Sequence, residues 1–106
     1  MLFITHWKVN EAISAEEVLQ IGQTLTDEGL FPPDGVTLHR WDATPDGWGV
    51  CVWEADEYAA LNRGLGVWRA SASDVPFFEE TTTAPAIPVE DWMAEMPSML
   101  EDLPTR

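Results

Sequence analysis

The stretch LHRWDATPDGWGVCVWEAD, residues 38 to 56, decides the fold of this chain. Its Asp-Gly pair lies between two runs of apolar and aromatic residues, which is a strong signal for a β-hairpin. The two predicted strands cover residues 36 to 43 and 48 to 55. Both alternating sets of side chains carry apolar or aromatic residues, whereas a sheet with one face in water alternates apolar with polar. Both faces of the hairpin therefore need to be covered.

The segments before the hairpin predict one strand and one helix. Residues 2 to 9 are rich in β-branched and aromatic side chains, which favours a strand. Residues 14 to 30 have the apolar spacing of a helix. Ser14 and Glu17 form a capping box at its start, and Gly29 suits its end.

The segments after the hairpin repeat this pattern. A second helix is expected to begin near Asp56, because apolar residues recur there on one face at helical spacing. These residues are Tyr58, Leu61, Leu65, Trp68 and Ala72. Residues 75 to 83 predict a fourth strand. Residues 89 to 96 predict a short C-terminal helix, which Pro97 should end or restart.

The resulting order, β-α-β-β-α-β with a short C-terminal helix, is typical of an α+β, ferredoxin-like domain. Such a domain has one antiparallel sheet with both helices on one face. We expect a single domain over residues 1 to 106, with a C-terminal extension from about residue 85 to 106. Because the helices cover only one sheet face, the apolar second face predicts a homodimer that packs sheet against sheet.

The faces of the hairpin depend on the length of its loop. An even-length loop places His39 and Trp41 on one face and Arg40 and Trp53 on the other. An odd loop or a β-bulge would instead bring Trp41 and Trp53 to the same face. The sequence leaves both arrangements open.

These segments resemble a family of small uncharacterised bacterial proteins in the dimeric α/β-barrel superfamily. The similarity covers about two-thirds of the chain and rests on a strand-one aromatic residue, a PPxGV entry, an RW pair, a glycine-rich hairpin and an acidic strand end. These are Trp7, Pro32 to Val36, Arg40 with Trp41, Gly47 with Gly49, and Glu54 with Asp56. Asp42 stands where the family often has histidine. The resemblance implies a dimer whose two sheets face each other across a cavity, in a superfamily that includes both enzymes and binding proteins.

Composition argues against several classes of partner. The chain has 5 basic and 19 acidic residues and a net charge of −14, which disfavours nucleic acids and anionic membranes. The acidic side chains are explained by a solvated surface, or alternatively by adaptation to salt. A single cysteine, with no secretory signal and no long apolar run, predicts a cytoplasmic protein without a multi-cysteine metal site.

Polar side chains on the predicted strands are candidates for chemistry. His6 and His39 could transfer protons, although structural or solvent-facing roles are the simpler interpretation. Arg40 and Asp42 are two residues apart on one strand, which favours a structural ion pair. Alternatively, Arg40 could bind a carboxylate or polarise an oxygen.

The favoured function is binding of a small, largely apolar ligand in the cavity between the facing sheets. Trp41 or Trp53 would form part of its wall, and Arg40, His6 or His39 would orient a polar end of the ligand. No cofactor and no metal are expected. One alternative is a cofactor-free monooxygenase or isomerase that uses His6 or His39 as its base. Another is an assembly module with no ligand, whose tryptophans fill the core and the dimer interface.

Overall fold

A computed structural model describes residues 1–72 and 74–101 and confirms the α+β ferredoxin-like domain with a C-terminal helix. Residues 102 to 106, the end of the predicted C-terminal extension, lie outside the described residues. The elements in chain order are β1 (Leu2–Val9), α1 (Ala15–Asp27), β2 (Val36–Ala43), β3 (Trp48–Ala55), α2 (Tyr58–Ser71), β4 (Phe78–Ala86) and α3 (Val89–Glu101).

The four strands form one antiparallel sheet in the order β2-β3-β1-β4. Strands β1 and β3 are central, and their buried side chains pack against α1 and α2 in a single core. Phe3 and Trp7 of β1 and Trp53 of β3 lie on this side of the sheet, with Leu25 of α1 and Leu61 of α2 against them. We call this side the helix face and the opposite side the open face.

Helix α1 has the ends that its sequence predicts. The hydroxyl of Ser14 accepts a hydrogen bond of 3.1 Å from the backbone N–H of Glu17. Gly29 has a φ of +68°, and the next N–H, that of Leu30, donates to the Leu25 carbonyl at 2.9 Å. A glycine suits this position because only it enters the left-handed region without strain.

Helix α2 lies close against the sheet. A Cβ on Gly64 would come within 3.3 Å of the Trp53 ring, so this glycine allows the helix to approach β3. This close contact explains why α2 contains glycine at position 64, although glycine weakens a helix by about 1 kcal/mol relative to alanine. The helix begins at Tyr58, two residues after Asp56, near which its start was predicted.

The even-loop register is wrong for the part of the hairpin nearest the turn. Leu38 pairs with Trp53 as an even loop requires, but Arg40 pairs with Val52, one residue out of step. His39 is the extra residue of a β-bulge between these pairs. Pairs closer to the turn keep the shifted register.

The bulge moves a tryptophan to the other side of the sheet. Trp41 lies opposite Cys51, a core residue, and is therefore on the helix face together with Trp53. Arg40 and Asp42 pair with open-face positions of β3. This is the second of the two arrangements that the sequence left open.

The C-terminal part differs from the prediction in its boundaries. Strand β4 begins at Phe78, three residues later than expected, and α3 continues through Pro97 to Glu101. Exposed apolar side chains of α3 include Val89, Trp92 and Met93. The molecule measures 51 × 28 × 21 Å, and α3 has no extensive contact with the other described elements. No helix in the described part of the chain combines the length and apolarity needed to cross a membrane.

The open face of the sheet is largely apolar at its centre. Ile4 of β1 is 42% exposed, Trp48 of β3 is 40% exposed, and Val50 and Val52 are half-buried between the strands. His6 lies beside Trp48, with 5.5 Å between ring centroids. No helix of the described chain packs on this face in the way that α1 and α2 pack on the other.

Candidate functional site

A cluster of aromatic rings lies between the sheet and the two helices, centred on Phe31 of the α1–β2 connector. The Phe31 ring centroid is 5.0 Å from that of Trp41, 5.6 Å from that of Trp68 and 6.2 Å from that of Trp53. Trp68 in turn contacts Phe77, the residue before β4, at 5.2 Å. The contacts of Phe31 with Trp41 and Trp68 are edge-to-face, a geometry that stabilises aromatic pairs beyond simple burial.

The cluster surrounds a cavity of about 70 Å³. Its wall is almost entirely apolar and combines side chains from both helices of the core, all four strands and two connecting segments. The lining residues are Trp7, Val18, Phe31, Trp41, Cys51, Trp53, Leu65, Trp68, Phe77 and Phe78.

A wider groove of about 530 Å³ adjoins this cavity on the surface between α1 and the β2–β3 hairpin. Trp7, Val18, Trp41 and Trp68 belong to both walls, so the two spaces meet at these side chains. The outer part of the groove is more polar. It is lined by Leu19, Gly22, Gln23, Thr26 and Asp27 of α1 and by Ala43 of β2.

The position of Trp7 depends on a glycine in the neighbouring strand. Gly49 lies opposite Trp7, and an ideal Cβ there would be 2.5 Å from Cζ2 of the indole ring. The Trp7 side chain therefore occupies space that any other residue at position 49 would fill. Its indole N–H is buried and, among the described residues, has no hydrogen-bond partner.

Cys51 forms part of the cavity wall as a neutral thiol. Burial raises its pKa to about 11, because the thiolate would lose its hydration, and the nearby Trp7 indole N–H offsets this only in part. That N–H would stabilise the thiolate electrostatically, although it makes no hydrogen bond to the neutral thiol. At neutral pH the thiol is a small apolar group and a poor nucleophile.

Trp53 is fixed by a buried polar contact. Its indole N–H donates to the hydroxyl of Thr5 at 3.1 Å, and that hydroxyl also shares a hydrogen bond of 2.7 Å with Thr83 of β4. Thr5 and Trp53 are both fully buried. The network gives every polar atom in it a partner and sets the orientation of the ring.

The residues that the sequence selected for ligand binding lie in two places. Trp41 and Trp53 are together in the aromatic cluster on the helix face. His6, His39 and Arg40 belong to the other side of the sheet, so within one chain they do not meet the cavity.

The open-face residues are engaged with acidic or aromatic neighbours. His39 Nε2 is 2.6 Å from a carboxylate oxygen of Glu54. Arg40 Nε donates to Asp42 at 2.9 Å, and this hydrogen bond, with the charge of Asp42, raises the pKa of the guanidinium. The ion pair expected between Arg40 and Asp42 is confirmed.

The sequence did not identify Phe31 and Phe77 as site residues. Phe31 precedes two prolines within the α1–β2 connector, and such a rigid segment can hold a ring in place. Trp68 was expected on the apolar face of α2, but only packing shows that it reaches Trp41, with 5.5 Å between their centroids. Pattern alone does not reveal which rings from distant segments meet.

Among residues 1–72 and 74–101, no group of three or more histidine, cysteine or acidic side chains could hold a metal ion. Residues 1–100 match the family described as Domain of unknown function (DUF3303). No curated protein matches the chain.

Proposed function

The chain belongs to the DUF3303 family, a domain of unknown function, and we propose from its geometry that it binds a small, largely apolar ligand. The observation that carries this proposal is the apolar cavity inside the aromatic cluster and its junction with the surface groove. We place the ligand on the helix face, not between two facing sheets, because the rings of Trp41 and Trp53 lie there. Concave sites with aromatic walls and a few polar groups at the rim are typical of small-molecule binding.

The cavity limits the size of what enters it. A cavity of about 150 Å³ accommodates benzene, and the space here is about 70 Å³. A short alkyl group or the edge of a ring fits without rearrangement. The remainder of the ligand would lie in the groove along Trp41 and the side chains of α1.

Binding accounts for this site better than catalysis. The side chains around the cavity include no carboxylate and no histidine among the described residues, and the thiol of Cys51 stays protonated at neutral pH. A monooxygenase or isomerase that uses His6 or His39 would need a second cavity on the open face. That alternative remains a prediction from the sequence.

We also propose a homodimer formed through the open face of the sheet. Water-exposed apolar groups such as Ile4 and Trp48 favour a covered face. Four strands of eight or nine residues span roughly 19 by 26 Å, or about 500 Å² for each copy. Two such faces reach about the lower limit for a stable dimer, so the exposed apolar side chains of α3 would add needed area. The single free cysteine, Cys51, also fits a reducing cytoplasm, which we propose as the location.

The ligand-binding proposal is tested with two uncharged probes, a planar aromatic and a medium-chain alcohol. We expect saturable binding to the native protein, measured by calorimetry, and weaker binding to Trp41→Leu. Trp48→Leu is the matched control, because Trp48 has nearly the same exposure, 40% against 44%, but lies on the open face. Equal loss in both variants, or no binding of either probe, would refute the site.

The dimer is tested by sedimentation at micromolar concentration, where about twice the chain mass is expected. Ile4→Glu should yield monomers, because it places a charge on the open face. Leu30→Glu is the matched control, since Leu30 is 43% exposed in the connector, away from the sheet. A native monomer at this concentration would contradict the proposal. A dimer that binds neither probe would favour an assembly module without a ligand.

A further inference from the structure

The groove that leads to the cavity carries negative charge. Asp27, the last residue of α1, lines the groove, and the last turn of this helix contains no basic residue. The carbonyl end of a helix adds a partial negative charge of its own. Among the described residues that line the groove, none is lysine, arginine or histidine.

The basic side chains of the described chain lie elsewhere. Lys8 is paired with Glu79 at 3.1 Å and Arg40 with Asp42 at 2.9 Å. Arg69 donates to the hydroxyl of Thr81 on β4 and lies 6.0 Å from the ring centroid of Phe78, on the far wall of the cavity. Arg63 of α2 is not among the groove residues. A carboxylate or phosphate in the groove would therefore meet no basic side chain in the groove wall, in a protein whose net charge is −14.

Tryptophan side chains also line the groove. Trp41 is 44% exposed and lines both the groove and the cavity. Its ring plane makes an angle of 73° with that of Trp68, so the two indole rings form a corner where the groove meets the cavity. Organic cations bind to the faces of tryptophan rings through the negative charge of the π system.

From this combination we infer that the ligand is an organic cation, a small amine with an apolar or aromatic body. One edge of the body enters the cavity, and the rest of the body lies in the groove, with the ammonium group near Trp41 and Asp27. This inference rests on the proposed function and adds the charge class of the ligand. It requires a preference for a cation over a neutral molecule of the same shape.

Three probes of similar shape separate the possibilities: benzylamine, benzyl alcohol and benzoate, which are cationic, neutral and anionic at pH 7. Calorimetry on the native protein measures the three affinities. We expect benzylamine to bind about three- to tenfold more tightly than benzyl alcohol, and benzoate to bind most weakly. The preference for benzylamine should shrink between about 10 mM and 500 mM sodium chloride, because salt screens exposed charges.

Substitutions on α1 locate the charge that matters. Asp27→Asn should reduce benzylamine affinity about threefold and leave benzyl alcohol unchanged. Glu16→Gln is the matched control, because it removes one exposed charge from the same helix outside the groove. Trp41→Phe should keep part of the cation preference that Trp41→Leu loses.

Each outcome has a distinct meaning. Equal affinity for benzylamine and benzyl alcohol, or tighter binding of benzoate, would overturn the inference while leaving an apolar site in place. Equal effects of Asp27→Asn and Glu16→Gln would also overturn it, since the preference would then reflect net charge alone. If none of the three probes binds, the proposed function fails and the inference fails with it.

Discussion

Replacing Gly49 with alanine tests how closely Trp7, a side chain of the cavity wall, packs on strand β3. The added Cβ would lie 2.5 Å from Cζ2 of Trp7 and still closer to the carbonyl oxygen of Asp42 on the paired strand. Overpacking of this kind destabilises a core by about 1 to 3 kcal/mol. We expect the upper end, about 3 kcal/mol, because the Asp42 oxygen belongs to the backbone and cannot rotate away.

That loss is large for a domain of this size. Small proteins unfold with a free energy of about 5 to 15 kcal/mol, and each kcal/mol shifts the melting temperature of such a domain by about 4 to 8 °C. Gly49→Ala should therefore melt about 12 to 24 °C below the native protein, measured by circular dichroism at fixed protein concentration.

Gly66→Ala is the matched control. No atom lies within 4 Å of an added Cβ at this position, which is inside α2. Alanine is favoured over glycine in a helix interior by about 0.5 to 1 kcal/mol, so this variant should melt a few degrees higher. A Gly49→Ala protein that melts within about 4 °C of the native protein would refute the close packing of Trp7 over β3.

Three further predictions concern the core and the surface charge. Thr5→Val leaves the Trp53 indole N–H and the Thr83 hydroxyl without a shared partner, so chemical denaturation should show a loss of about 2 to 3 kcal/mol; a loss below about 1 kcal/mol would contradict this network. The native thiol of Cys51 keeps its proton up to a pKa of about 11, against 9.0 for an ordinary thiol, so unfolding releases a proton between these values. Stability should therefore fall as pH rises from 9 to 11 and fall less in Cys51→Ala; parallel pH profiles would exclude this contribution. Because the chain carries a net charge of −14, its melting temperature should rise between about 10 mM and 500 mM sodium chloride, and a flat or falling trend would mean that the acidic side chains do not repel one another appreciably.

Trp41 and Trp53 lie on the opposite side of the sheet from His6 and His39. The sequence predicts Trp41 or Trp53 as part of the wall of a cavity between facing sheets, whereas both rings contact Phe31 on the helix face. His6 and His39 were selected as polar partners of the ligand, but the sheet separates them from the aromatic cluster. A binding assay that targets the helix face and one that targets the open face are therefore independent experiments.

The sequence by itself determined the order of elements and most of their bounds. The hairpin strands occupy residues 36 to 43 and 48 to 55 as predicted, because the turn residues and the β-branched runs act locally. The capping of α1 by Ser14 is equally local, since the hydroxyl reaches an N–H only three residues away. Apolar periodicity likewise indicated which side of α2 is buried.

Only the tertiary structure decided which face each hairpin residue occupies. The bulge at His39 changes the strand register by one residue, and a change of one residue reverses the faces of every position up to the turn. Alternation cannot predict this here, because both sets of side chains are apolar enough to be buried. The register follows instead from packing: with Trp41 on the helix face, its ring meets Phe31 and Trp68, which come from segments 10 and 27 residues away in the chain.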